Sequence, residues 1–189
     1  MRYNIGMESG LGGAICMIDK EMAVELIFDI PTIYRTKNGR KRTCYDIPQL
    51  TKRLNELPVE DVVVMIEETY PRSVVLKGTP TTNYNLGYNY GIFIGYFVAR
   101  GIRYETVMPK TWQKEFFAGP ASDTKVRSYE CASRLFPNTE VKTERGRLLD
   151  GRCDCLLIAE YGRRRLVSNG IIEEEEVTVP RGADDEVIE

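Results

Sequence analysis

The sequence predicts an α/β protein built on a mixed five-stranded sheet flanked by helices, and three observations carry that prediction. Residues 2–35 hold three strand-like runs separated by turn residues. Residues 62–67, VVVMIE, form a nearly continuous apolar run, the pattern of a strand buried on both faces. Beyond it, helical and strand-like spacings alternate, as they do where helices connect parallel strands. Three antiparallel strands leading into two parallel ones is the sheet this order implies.

Each element has its own signal. RYNIGM (2–7) alternates and ends at the glycine-rich turn ESGLGG; AICMID follows, so the pair reads as a hairpin. VELIFDIPTIYR reads as the third strand. TKNGRKRT is an Asn-Gly turn loaded with base, leading into TCYDI. After Pro48, Leu50, Leu54 and Leu57 have helical spacing. A glycine-spaced helix is expected over roughly 83–100, then a short strand in RYETVMP. Helices near 109–117, 123–135 and 151–166 complete a single domain spanning residues 1–170.

The remainder, IIEEEEVTVPRGADDEVIE (171–189), carries eight acids and one base, a composition expected to stay disordered. Formal net charge is −2 for the whole chain, so the other 170 residues, with 25 basic and 20 acidic side chains, are net positive. A mildly basic body allows a nucleic-acid partner without demanding one. No apolar run reaches the ~20 residues of a membrane span, and MRYNIGMES lacks an apolar signal core, so a cytoplasmic location and no membrane partner are expected. Five cysteines, with Cys153 and Cys155 too close for CxxC ligand spacing, read as reduced packing residues.

The chain contains no histidine. That removes Ser-His-Asp and Cys-His schemes, histidine-ligated zinc and histidine general bases. Hydrolytic chemistry, if present, must run on carboxylates with a hard metal bound through oxygen. Four acids stand where such a site is expected. Glu8 ends the first strand, Glu67 ends the central strand, and Asp150 and Asp154 open the last helix. Asp154 precedes Leu157, Ile158 and Tyr161 at core-facing spacing, so it lies on or beside the buried stripe. A buried carboxylate needs a partner or a metal. Singly, each acid also suits a solvated turn or a cap, and Asp150 suits an N-cap.

Five stretches resemble the RuvC-type Holliday junction resolvases of phages and bacteria, which have the RNase H-like fold. They are IGMESGLGGAICMID, VVVMIEETYP, YNLGYNYGIFIGYFVARGIRYETVMPKTWQKEFF, SDTKVRSYECASRLFP and LLDGRCDCLLIAEYGRR. In register they cover nearly all of residues 2–166. The resemblance implies an endonuclease that resolves four-way junctions as a homodimer, nicking opposing strands and leaving 5′ phosphates. It implies Glu8, Glu67, Asp150 and Asp154 as catalytic ligands of two Mg²⁺ ions, with Mn²⁺ as a substitute and no organic cofactor. Two features depart from the family: the first acid is glutamate where aspartate is usual, and the last two acids are four apart rather than three. Glu68 is the alternative to Glu67.

Branched DNA needs phosphate contacts. Arg35, Lys37, Arg40, Lys41 and Arg42 surround one hairpin tip, either as a solvated turn or as a phosphate-gripping finger. Lys110, Lys114, Lys125 and Arg127 lie near helix starts, and the helix beginning near Asp123 has N–H groups to offer a phosphate; the resemblance singles out Lys125. Gly87, Gly91 and Gly95, with Tyr84 and Tyr88, make a small-residue groove. It either packs on the protein's own sheet, the favoured reading, or forms a dimer seam. Trp112, Phe116 and Phe117 read as core or interface aromatics. Two other functions stay open: a related nuclease acting on flaps, Y-junctions or RNA–DNA hybrids, and a junction-binding protein without cleavage.

Overall fold

The computed structural model describes residues 2–37, 39–69, 79–118 and 123–168. Seven strands and five helices occupy them: β1 (Tyr3–Met7), β2 (Ala14–Asp19), β3 (Val24–Asp29), β4 (Thr32–Lys37), β5 (Arg40–Tyr45), α1 (Ile47–Leu54), β6 (Val62–Glu67), α2 (Pro80–Arg100), β7 (Tyr104–Val107), α3 (Pro109–Phe116), α4 (Thr124–Leu135) and α5 (Asp150–Ser168). The acidic stretch 171–189 lies outside the described residues, as does Asn38 of the predicted Asn-Gly turn. Among the described residues no helix is long and apolar enough to cross a membrane, and the five cysteines form no disulfide.

The main sheet has the order β3-β2-β1-β6-β7. β1–β2 and β2–β3 are antiparallel, whereas β1–β6 and β6–β7 are parallel. This is the mixed five-stranded sheet read from the sequence, three antiparallel strands continued by two parallel ones.

One predicted element divides. VELIFDIPTIYR is not one strand: Pro31 donates no N–H to a ladder, and the chain breaks there. β3 stays in the main sheet, while β4 leaves to pair with β5 in a separate two-stranded ribbon. The ribbon's Arg35 stands opposite Arg42, and Thr36 opposite Lys41.

Strand alternation sorts the two faces. Ile5 and Met7 of β1, with Val62, Val64 and Ile66 of β6, pack toward α1 and α2 through Leu50, Leu54, Phe93 and Phe97. The opposite face, including Cys16 and Met65, packs on α3, α4 and α5 through Trp112, Ala132, Leu156 and Leu157. α5 is buried nearly all round, with the sheet beneath it and α3 and α4 against it. Its approach depends on Gly6, where a Cβ would fall 1.9 Å from the carbonyl oxygen of Cys155. Any side chain there would push the helix off β1.

α2 overturns the favoured reading of its glycines. Phe93 and Phe97 face the sheet, but a Cβ at Gly87, Gly91 or Gly95 would meet nothing within 4 Å. Tyr84, Tyr88 and Val98 are 69%, 56% and 63% exposed. The stripe therefore points away from the protein's own core.

Candidate active site

The alternation that buries Ile5 and Met7 on one face puts Gly6 and Glu8 on the other, under α5. In the same way Met65 and Glu67 share the α5 face, opposite Val64 and Ile66. β1 and β6 run parallel with Met7 level with Ile66, so the next residues, Glu8 and Glu67, end side by side. The first turns of α5 then bring Asp150 and Asp154 to that edge. A bridge between Gly13 and Gly151 fixes the helix start against the turn after β1, with room for no side chain: a Cβ on Gly151 would lie 2.4 Å from the Gly12 carbonyl oxygen.

The four acids feel one another. Burial, first, and then the Asp154 and Glu8 charges push Glu67 up to about 8. Burial is also the main cause for Asp154, raised to about 6, with the Asp150 charge adding to it against the hydrogen bond from Ser128. Glu8 is raised by burial, opposed by its bond from Gly10 and reinforced by the Asp154 and Asp150 charges. Desolvation and like charge both favour the protonated carboxyl.

Each carboxylate is held through one oxygen. Glu8 Oε1 accepts from the Gly10 N–H at 2.8 Å, and Glu67 Oε2 accepts from the Trp112 indole N–H at 3.1 Å. The Ser128 hydroxyl donates to Asp154 Oδ1, and the Lys125 ammonium donates to Asp150 Oδ2. The opposite oxygens, Glu8 Oε2, Glu67 Oε1, Asp154 Oδ2 and Asp150 Oδ1, take no hydrogen bond from the described residues. As the side chains stand, no three Asp, Glu or Cys groups among the described residues close around one ion. The donor set nonetheless fits a hard divalent cation: oxygens only, half-buried, with one acceptor to spare on each carboxylate.

Other expectations meet the geometry individually. Asp150 is the first residue of α5 itself and binds Lys125, rather than being the cap before the helix. Lys125 thus stands among the acids. Asp123 caps α4, accepting from the Lys125 backbone N–H at 2.9 Å, so a carboxylate already occupies the helix start predicted to be offered to a phosphate. Glu68 turns elsewhere and accepts from the Thr106 hydroxyl at 2.7 Å. Lys110, Lys114, Arg35, Arg40, Lys41 and Arg42 are exposed; the Lys37 side chain lies outside the described residues. Arg127 packs over the Phe117 ring and donates to the Ala118 carbonyl.

Three site residues are absent from the sequence-based set. Trp112 is fully buried, and a buried indole N–H seeks an acceptor; that was the available signal. Ser128 is 2% exposed on the α4 face that also buries Ala132, a polar residue at a core position. Tyr45 ends β5 and donates its hydroxyl to the Ser9 carbonyl beside Glu8, a long-range contact with no local signature.

No family model matches this sequence, and no curated protein does. Among solved structures, T. thermophilus RuvC in complex with a Holliday junction substrate is similar at 10% identity and TM-score 0.49, covering 89% of this chain and 96% of that one. The Thermus thermophilus RuvC structure is similar at 14% identity and TM-score 0.48, covering 86% and 96%.

Proposed function

We propose that this chain is a divalent-metal-dependent endonuclease that cuts branched DNA, with the four-way junction as its substrate. The observation that carries the reading is the convergence of Glu8, Glu67, Asp150 and Asp154 at one sheet edge, each with an oxygen that takes no hydrogen bond from the described residues. These four would hold Mg²⁺, two ions in the reading the sequence resemblance implies. A divalent cation held there would supply the Lewis-acid chemistry of phosphodiester hydrolysis, making the attacking water more acidic and offsetting charge on the leaving oxygen. Trp112, Ser128 and the Gly10 N–H each hold one oxygen of a carboxylate, which leaves the other oxygen for a cation once the side chains close around it. Lys125, bonded to Asp150, places a positive charge where a phosphate enters. The exposed bases of the β4–β5 ribbon supply further phosphate contacts.

Resolution needs two sites, and α2 offers the seam for a homodimer. Tyr84, Tyr88, Gly91, Gly95 and Val98 follow steps of four, three, four and three, the spacing of a helix pair. Their exposure and the open space over the glycines support close helix–helix approach.

A panel of labelled four-way junction, flap, Y-junction, linear duplex and RNA–DNA hybrid, in Mg²⁺ and in EDTA, tests the reading. Paired nicks near the crossover of the junction, only with metal, are expected. Preferential cutting of a flap or hybrid transfers the activity to that substrate; binding without cutting removes the enzyme.

A further inference from the structure

Glu8 carries one more methylene than the aspartate that the resemblance leads one to expect, and the turn after β1 absorbs it. The side chain curls back so that Oε1 meets the Gly10 N–H, and it passes so close to Gly13 that a Cβ there would fall 2.4 Å from Oε2. The peptide group between Ser9 and Gly10 therefore orients the carboxylate through its N–H. The other end of that same peptide, the Ser9 carbonyl, accepts the Tyr45 hydroxyl. Tyr45 O–H, the Ser9–Gly10 peptide and the Glu8 carboxylate make one hydrogen-bonded chain, and each link polarises the next.

We infer that Tyr45 is a positioning residue that sets the Glu8 carboxylate by fixing the rotation of this single peptide plane. The inference rests on the nuclease reading for its purpose, though not for its geometry. Tyr45 is well placed to act as a fixed point. It is 3% exposed, and its ring meets Phe93 of α2 edge-on, with centroids 5.6 Å apart and planes at 65°. Burial, and then the Glu8 charge, raise its ionisation above the ordinary tyrosine range, so the hydroxyl stays a donor. The neighbouring backbone bonds, Glu8 N–H to Ala14 at 3.1 Å and Ile30 N–H to Gly13 at 2.9 Å, hold the flanks of the turn. Ser9 Oγ lies 3.4 Å from Thr69 Oγ1. Among the described residues, the oxygen of the critical peptide is left to Tyr45.

Tyr45→Phe keeps the ring and its packing and removes one hydroxyl. In metal-free protein, the Gly10 amide proton is expected to move upfield, as a proton leaving a carboxylate does, and to exchange about ten-fold faster. Amides within α5 should not move. Mn²⁺ affinity, read by titration calorimetry, should weaken about five-fold, the usual weight of one hydrogen bond. Junction binding in EDTA should stay within about two-fold, and single-turnover cleavage should fall at limiting Mn²⁺ and recover at saturation. An unmoved Gly10 resonance with unchanged Mn²⁺ affinity overturns the inference. If neither protein cuts any branched DNA, the nuclease reading is lost, while the Gly10 resonance still decides the coupling.

Discussion

At the residue scale, the site is a set of carboxylates held at a cost to stability. Glu67, Asp154 and Glu8 all titrate above the ordinary carboxyl range. At these three positions the folded protein holds protons that the unfolded chain releases, so their contribution to stability is fully present below about pH 4 and is lost as pH rises through the folded values, toward about pH 8 for Glu67. Metal-free protein should melt several degrees lower at pH 8 than at pH 5. Glu67→Gln should flatten that slope, since its amide oxygen still accepts from Trp112. Calorimetry across the range in EDTA checks this, and an equal slope in the variant contradicts it. Asp154→Asn keeps the volume and an acceptor for Ser128 but removes one carboxylate charge from the site. No detectable cleavage, retained junction binding and a metal-free Tm held or raised are expected; an unfolded or fully active variant would make Asp154 a structural residue. Glu8→Asp shortens the arm that the turn has folded back, so the carboxylate loses Gly10 and no longer reaches its place. Cleavage of one junction in Mg²⁺ should drop roughly 100-fold, the scale of an ångström's misplacement, and a faster mutant would show that glutamate is a handicap here. The acids themselves were legible because they sit at strand ends and a helix start. Their partners were not: Trp112, Ser128 and Tyr45 are 45, 26 and 36 residues from the groups they contact, and no local pattern announces such pairings.

At the element scale, legibility follows how far each signal is local. VVVMIE was readable as a buried strand because its first five residues are all apolar, and α5 because its apolar spacing continues through Tyr161. The division of β3 from β4 was not, since Ile30-Pro31 looks like an edge-strand irregularity until the partner of β4 is known to be β5. The glycines of α2 show the limit most clearly. A stripe at i, i+4 and i+8 says that something small belongs on one face, but not which surface lies opposite. Only the burial of Phe93 and Phe97 on the other side settles that the stripe faces outward. The dimer reading then makes a test with opposed signs. Gly91→Gln replaces a poor helix former by a good one at an exposed position, worth roughly 0.5–1 kcal/mol to the helix. It also inserts a long side chain where two helices would meet. The isolated protomer should become more stable while self-association, measured by sedimentation equilibrium, weakens. A variant that dimerises as wild type removes α2 from the interface.

At the scale of the whole molecule, charge is segregated along the chain rather than balanced within it. Residues 171–189 contribute seven net negative charges, so the rest of the chain is net positive although the total is −2. The positive groups near the site and on the ribbon, Lys125, Arg35, Arg40, Lys41 and Arg42, then share the chain with an anionic segment. With eight acids among its nineteen residues, the stretch is too highly charged to add much to an apolar core. Truncation after residue 170 should therefore leave Tm unchanged and leave single-turnover cleavage at saturating protein near the wild-type rate. Affinity for any duplex at low salt should rise, because the field reaching an approaching DNA changes sign. The gain should disappear as ionic strength shortens the screening length to about 8 Å near physiological salt. Melting curves and a salt series of duplex binding on the two proteins check both parts. A large fall in Tm would show that the acidic segment packs against the domain, and equal low-salt affinities would show that it never reaches the basic surface.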